Sequence, residues 1–127
     1  MSQIIERRKY RRFEVPGGTA KIGKITGYPS IFKPLSKTCP LINACIGGVN
    51  ILCTRALNTG EDFLIELLAP GEEAIRLRSK VIWTNPVPLS RDILTGFELF
   101  PFGEDRDQNP SEAMGVLRRL YARYINA

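Results

Sequence analysis

From Phe13 onward, short stretches of alternating apolar and polar residues are separated by glycine- and proline-rich breaks. The breaks are Pro16-Gly17-Gly18, Gly27 with Pro29, Pro34, Gly47-Gly48, Asn58-Thr59-Gly60, Pro70-Gly71, and Pro86 with Pro88. A period of two places alternate side chains on opposite faces of an extended chain, and such breaks bound strands. The pattern predicts strands over Ala20 to Ile25, Thr38 to Cys45, Val49 to Thr54, Phe63 to Leu68, Ile75 to Thr84 and Ile93 to Phe100. Ile75 to Thr84 alternates most clearly, with Ile75, Leu77, Val81 and Trp83 on one face and Arg76, Arg78 and Lys80 on the other. Six short strands at this spacing predict an all-β fold, a six-stranded antiparallel β-barrel whose closure removes exposed sheet edges.

The period changes near the C-terminus. Met114, Leu117, Tyr121 and Tyr124 recur at helical spacing, with Arg118, Arg119 and Arg123 on other faces. Asn109 before Pro110, with Glu112 following, reads as a cap, a first helical residue and a capping-box acid. The expectation is a C-terminal α-helix that packs its apolar stripe on the barrel. A stripe offered to a partner protein is the alternative.

Residues 1 to 12 are polar and carry the charge. The chain of 127 residues has a net charge of +5, and Arg7, Arg8, Lys9, Arg11 and Arg12 stand against Glu6 alone in this segment. The rest is close to neutral. The expected organisation is one domain: a flexible basic arm over 1–12 and a barrel with its helix over 13–127. A concentrated basic arm suits phosphate, nucleotide, nucleic acid or an acidic surface. Only Tyr10, followed by Phe13, supplies an aromatic there, which argues against base stacking along a single-stranded nucleic acid.

Several chemistries lack their residues. There is no histidine, hence no Ser-His or Cys-His pair and none of the commonest transition-metal ligand. Gly47-Gly48 is not followed by Lys-Ser/Thr, so the phosphate-binding loop of NTPases is missing. Glu61-Asp62 and Glu72-Glu73 fall in predicted turns, where solvated charges are the rule. The expectation is a binding protein, not an enzyme, without metal or cofactor. Cys39, Cys45 and Cys53 are odd in number and without CxxC spacing, which predicts reduced thiols. No apolar run approaches the roughly 20 residues of a membrane span. The opening MSQIIERRKYRR has no apolar core of a secretory signal. Together these predict a cytoplasmic protein.

Two motifs carry candidate chemistry. The arm Arg7-Arg8-Lys9-Tyr10-Arg11-Arg12 supplies guanidinium forks that grip phosphate, donate to the O6/N7 edge of guanine and stack on its ring. Alone, such a run is equally the composition of a solvated tail. The second motif, Asn43-Ala44-Cys45-Ile46-Gly47-Gly48, runs from a strand into a tight turn. Alternation puts Asn43 and Cys45 on one face and Ile42, Ala44 and Ile46 on the other. Gly48 admits a close approach that a side chain forbids.

Together the two motifs resemble the PilZ domain family, bacterial receptors for the second messenger cyclic di-GMP. That family pairs an RRxxxR arm with a later D/N-x-S-x-x-G at a strand end. Arg7, Arg8 and Arg12 match the arm, and Asn43 and Gly48 match the second element. The strand ending Val81-Ile82-Trp83, the segment Gly96-Phe97-Glu98-Leu99-Phe100 and the Leu117-Arg118-Arg119-Leu120 helix are also similar to the single-domain members. The resemblance implies a cyclic di-GMP receptor that turns nucleotide binding into a changed surface for a downstream protein partner. Arg8 and Arg12 then take phosphates and guanine edges, Arg7 adds a stacking or phosphate contact, and Lys9 is a further cation. Asn43 takes a guanine edge and Gly48 lets the backbone approach. Trp83 reads as a core residue, with a place flanking the site as the alternative. Cys45 departs from the pattern, since it stands where the family has serine and a thiol is the weaker donor. The family also contains members that bind no nucleotide and act through protein contacts, and Cys45 keeps that adaptor role as the alternative.

Overall fold

The computed structural model describes residues 11–26, 31–105 and 107–125. The expected flexible arm, with Arg7, Arg8 and Lys9, lies outside the described residues except for Arg11 and Arg12, both exposed. The strands are β1 (Thr19–Thr26), β2 (Ile31–Pro34), β3 (Cys39–Cys45), β4 (Gly48–Cys53), β5 (Asp62–Leu68), β6 (Ile75–Pro86) and β7 (Ile93–Leu99), followed by helix α1 (Ser111–Tyr124). All pairings are antiparallel, and six strands close in the order β1-β3-β4-β7-β6-β5 and back to β1. The predicted barrel is therefore present, with one strand more than the alternation indicated. β2 lies outside the ring and pairs with the C-terminal half of β1, from Gly23↔Pro34 to Thr26↔Ile31. At four residues, ending on Pro34, it is too short to display a period.

The inward faces of the ring supply the core, among them Ile22, Leu41, Val49, Ile51, Ile65, Leu77, Val81 and Phe97. Two small polar residues share that interior and are satisfied at once by nearby carbonyls. Ser79 donates to the Phe63 carbonyl at 3.1 Å and Thr95 to that of Ile93 at 3.2 Å. Cys39 and Cys53 are also buried there, and continuing the Leu41↔Ile51 register sets them opposite one another. The hydrogen bond between the two thiols, then burial, pushes the Cys53 thiol well above its ordinary value. All three cysteines are free thiols.

Helix α1 packs on the barrel through Ala113, Leu117 and Leu120. Leu117 and Leu120 line a small apolar cavity together with Val15, Leu41, Ala44 and Leu67. The buried stripe is thus rotated from the expected one: Met114, Tyr121 and Tyr124 are only half-buried, while Ala113 and Leu120 lie inside. Glu72, in the turn after β5, ties the exposed side of the helix through Arg119 at 3.2 Å and Arg123 at 3.5 Å.

The capping expectation fails at Asn109. The residue in the capping position is Pro110, and no side chain caps the helix. Asn109 is instead fully buried and faces β6. Its Oδ1 accepts from the Arg78 N–H at 2.5 Å, and its Nδ2 donates to the carbonyls of Arg78 at 3.1 Å and Phe100 at 3.0 Å. β7 ends at Leu99, and the Asn109 amide continues the ladder along β6 where that strand leaves off. A polar group so deep must be paired, and the exposed backbone of β6 offered more than a helix end did.

Candidate functional site

The arm's root is fixed by main-chain and aromatic contacts. Phe13 exchanges two backbone hydrogen bonds with Ala44, at 2.8 and 2.9 Å, on the edge of β3. Its ring is 3% exposed and meets Tyr121 of α1 edge-on, with centroids 5.9 Å apart. Phe13 and Val15 point inward, so Arg12 points outward. The antiparallel sense of the bridge carries Arg12 toward Cys45, onto the outer face of β3.

Across that outer face, the register aligns one residue from each of four adjacent strands. Asn43 of β3 stands opposite Asn50 of β4, Asn50 opposite Gly96 of β7, and Gly96 opposite Trp83 of β6. The chain neighbours Ala44, Val49, Ile51, Thr95 and Phe97 are buried in the core, so this row faces away from it. The next row runs Cys45, Gly48, Glu98 and Lys80. Arg12, Asn43, Cys45, Gly48, Asn50 and Trp83 line one open cavity of about 290 Å³, which Ile82 and Glu98 also border. Arg12 is the one cation among these lining residues and Glu98 the one carboxylate. Arg12, Asn43, Cys45, Gly48 and Trp83 are therefore brought together, while Arg7, Arg8 and Lys9 lie outside the described residues.

Trp83 reaches this surface because of a bulge. Val81 pairs with Phe97 but Trp83 with Gly96, so Ile82 is an extra residue in β6 and alternation resets after it. Strict alternation put Trp83 with Val81 on the core face, and the bulge reverses that: Trp83 is half-buried on the outside. The missing side chain of Gly96 makes the room, since a Cβ there would overlap the indole. We expect Gly96→Ala to lift the indole off the strand, raising its solvent exposure and red-shifting the single tryptophan's emission. Unchanged emission and quenching by acrylamide in the folded variant would show that Trp83 does not rest there.

β3 contains a second irregularity. The register shifts between Leu41 and Asn43, so Ile42 is offset, and Leu41 and Ala44 are the inward residues. Ile42 does not share the core face with Ala44 as the simple alternation had it; it is half-buried, as is Ile46. Asn43 and Cys45 still look outward. Gly48 does admit a close approach, but of the protein's own backbone: a Cβ there would stand 2.7 Å from the Phe97 carbonyl oxygen. Packing of β4 against β7 is sufficient reason for that glycine.

Asn50, and the part Gly96 plays beneath Trp83, escaped the sequence reading. An asparagine inside Val49-Asn50-Ile51-Leu52-Cys53 was the available signal, a polar residue where a strand is otherwise apolar. Asn50 is 8% exposed, and its Nδ2 donates to Asn43 Oδ1 at 2.7 Å. No group of three or more His, Cys, Asp or Glu side chains arranged for a metal ion occurs among the described residues. No helix among them is long and apolar enough to cross a membrane.

No protein-family model matches the chain, and no curated protein does. Solved structures do. The Bacillus subtilis inhibitor of motility MotI/DgrA aligns with a TM-score of 0.62 at 18% identity, covering 92% of this chain and 50% of that one. YcgR of Escherichia coli in complex with c-di-GMP aligns with a TM-score of 0.66 at 16% identity, over 92% of this chain and 45% of that one. The PilZ domain of the same YcgR, with c-di-GMP, aligns with a TM-score of 0.63 at 15% identity, over 92% and 90%. The chain thus spans about half the length of the first two and nearly all of the isolated domain.

Proposed function

We propose that this chain, whose fold is that of a PilZ domain, is a receptor for cyclic di-GMP that binds the dinucleotide on the outer face of β3, β4, β7 and β6. The supporting observation is that Arg12, at the described end of the arm, lines one cavity with Asn43, Cys45 and Gly48, next to Phe13, which is bonded to β3. Arg12, continued by Arg8 and Arg7 of the arm, supplies phosphate contacts and donors to guanine. Lys9 adds charge. Asn43 takes a base edge, and the outward Trp83 offers a face for stacking, worth about 1–3 kcal/mol per base in comparable sites. Cys45 contributes a weak donor at most. The ligand held between the arm and this face forms a changed surface that a downstream protein partner reads.

Calorimetry of the purified protein with cyclic di-GMP, GTP and a short oligonucleotide tests this reading. Cyclic di-GMP should bind, GTP much more weakly, because two linked phosphates and two guanines act as one preorganised ligand. No heat and no shift in melting temperature at high micromolar cyclic di-GMP would overturn the receptor reading in favour of an adaptor that works through protein contacts alone.

A further inference from the structure

We propose that Cys39 and Cys53 form a reversible disulfide between β3 and β4, on the inner face of two strands whose outer face carries the candidate cavity, with a hydroperoxide as the oxidant.

The strands set the two residues up for this bond. β3 begins at Cys39 and β4 ends at Cys53. Continuing the Leu41↔Ile51 register pairs them, and both side chains are buried on the core side, as those of Leu41 and Ile51 are. Directly opposite residues of an antiparallel pair keep their Cα atoms about 4.5–5.5 Å apart, inside the range of about 4.4–6.8 Å that a disulfide spans. Their Cβ atoms stand about 4.5–5.5 Å apart, at or beyond the upper end of the usual disulfide spacing. Closing the bond therefore pinches the two strands together, and a bond under that strain is easily reduced. The third cysteine has no such partner, since Cys45 lies on the outer face opposite Gly48.

The two thiols differ in readiness. The hydrogen bond from Cys53 draws the Cys39 thiol below its ordinary value; burial and the Asp92 carboxylate oppose this, while Ser36 and the Thr54 main chain support it. Cys53 is pushed the other way and keeps its proton. One sulfur is thus the nucleophile and its neighbour the resolving thiol. Access comes from the end of the ladder. Lys37, Thr38, Thr54 and Arg55, next to the pair, are exposed, and a last rung opens more readily than the centre of a sheet.

The Cys39 thiolate attacks one oxygen of the hydroperoxide and the O–O bond breaks. The other oxygen leaves with the proton that Cys39 gave up, as water or an alcohol, and Cys39 becomes a sulfenic acid. The Cys53 sulfur then attacks the Cys39 sulfur: the S–S bond forms, the S–O bond breaks, and the hydroxyl leaves with the Cys53 proton as water. The two thiols lose two electrons and the O–O bond takes them. A small thiol reverses the step by exchange.

The Cys45→Ser variant, in which these two cysteines are the only ones left, gives the direct test. It is treated with hydrogen peroxide, then denatured, alkylated and weighed by mass spectrometry, with and without an intervening incubation in glutathione. The oxidised chain should be a monomer, lighter by two hydrogen atoms, that takes up no alkylating agent and recovers both thiols in glutathione. Two alkylated thiols after peroxide, added oxygen atoms, or a disulfide-linked dimer would overturn the pairing. A disulfide within the chain that glutathione leaves intact would be a permanent staple and overturn its reversibility. The wild type keeps the test available if the variant does not fold. One of its three cysteines should remain alkylated, and fragmentation of the tryptic peptide 38–55, which contains all three, should place the label on Cys45. A label on Cys39 or Cys53 would overturn the assignment.

Discussion

Replacing Asn109 with leucine will lower the stability of the domain by about 3–5 kcal/mol, several times the cost of losing a helix cap. The side chain is fully buried and makes three hydrogen bonds to main-chain groups. Among these partners the Arg78 carbonyl also accepts from the Phe100 N–H at 2.9 Å, so it keeps one bond. The Arg78 N–H and the Phe100 carbonyl lose the partner the structure gives them. An unsatisfied buried polar group costs about 1–3 kcal/mol, and leucine repairs neither. Truncating an ordinary N-cap residue costs about 1 kcal/mol, which gives the experiment its contrast. Urea denaturation of the wild type and the variant decides between the two. A loss of about 1 kcal/mol or less would return Asn109 to the helix end and remove it as the staple between β6 and the segment that follows β7.

Substituting Arg12→Ala should weaken cyclic di-GMP binding by roughly ten- to a hundred-fold, that is about 1.5–3 kcal/mol, the usual value of hydrogen bonds to charged groups. Arg12 is exposed and the only cation lining the cavity among the described residues, so its loss should leave the melting temperature nearly unchanged. Arg119→Ala is the matched control. That guanidinium lies on α1 and is engaged with Glu72 at 3.2 Å, in an exposed pair of small worth. Its removal should leave affinity unaltered. Equal losses from the two substitutions would mean that the ligand responds to overall charge and that no discrete site exists on β3. The comparison is best made at two salt concentrations, since a diffuse attraction fades with screening much faster than a bidentate contact.

The amino-acid sequence by itself determined which residues extend and, away from the irregularities at Ile42 and Ile82, which face each shows. Every strand of the closed ring was legible, because a chain half in contact with a core must alternate, and glycine and proline mark where it turns. Both candidate motifs were visible as short runs of residues, and of the arm only Arg12 is described, lining one cavity with Asn43 and Gly48. Periodicity is local, however, and carries no information on which strand lies beside which. Tertiary structure alone decided that β1 closes the ring against β5 and that a four-residue strand attaches outside it. It alone showed the bulge at Ile82, where one unpaired residue turns Trp83 from the expected core to the cavity rim. Asn50 and Asn109 show the same limit from the polar side. In the chain one is an oddity inside an apolar strand and the other a plausible cap. Each owes its role to a partner distant in sequence, Asn43 across a hairpin and the backbone of Arg78, and a buried amide goes where its hydrogen bonds can be completed.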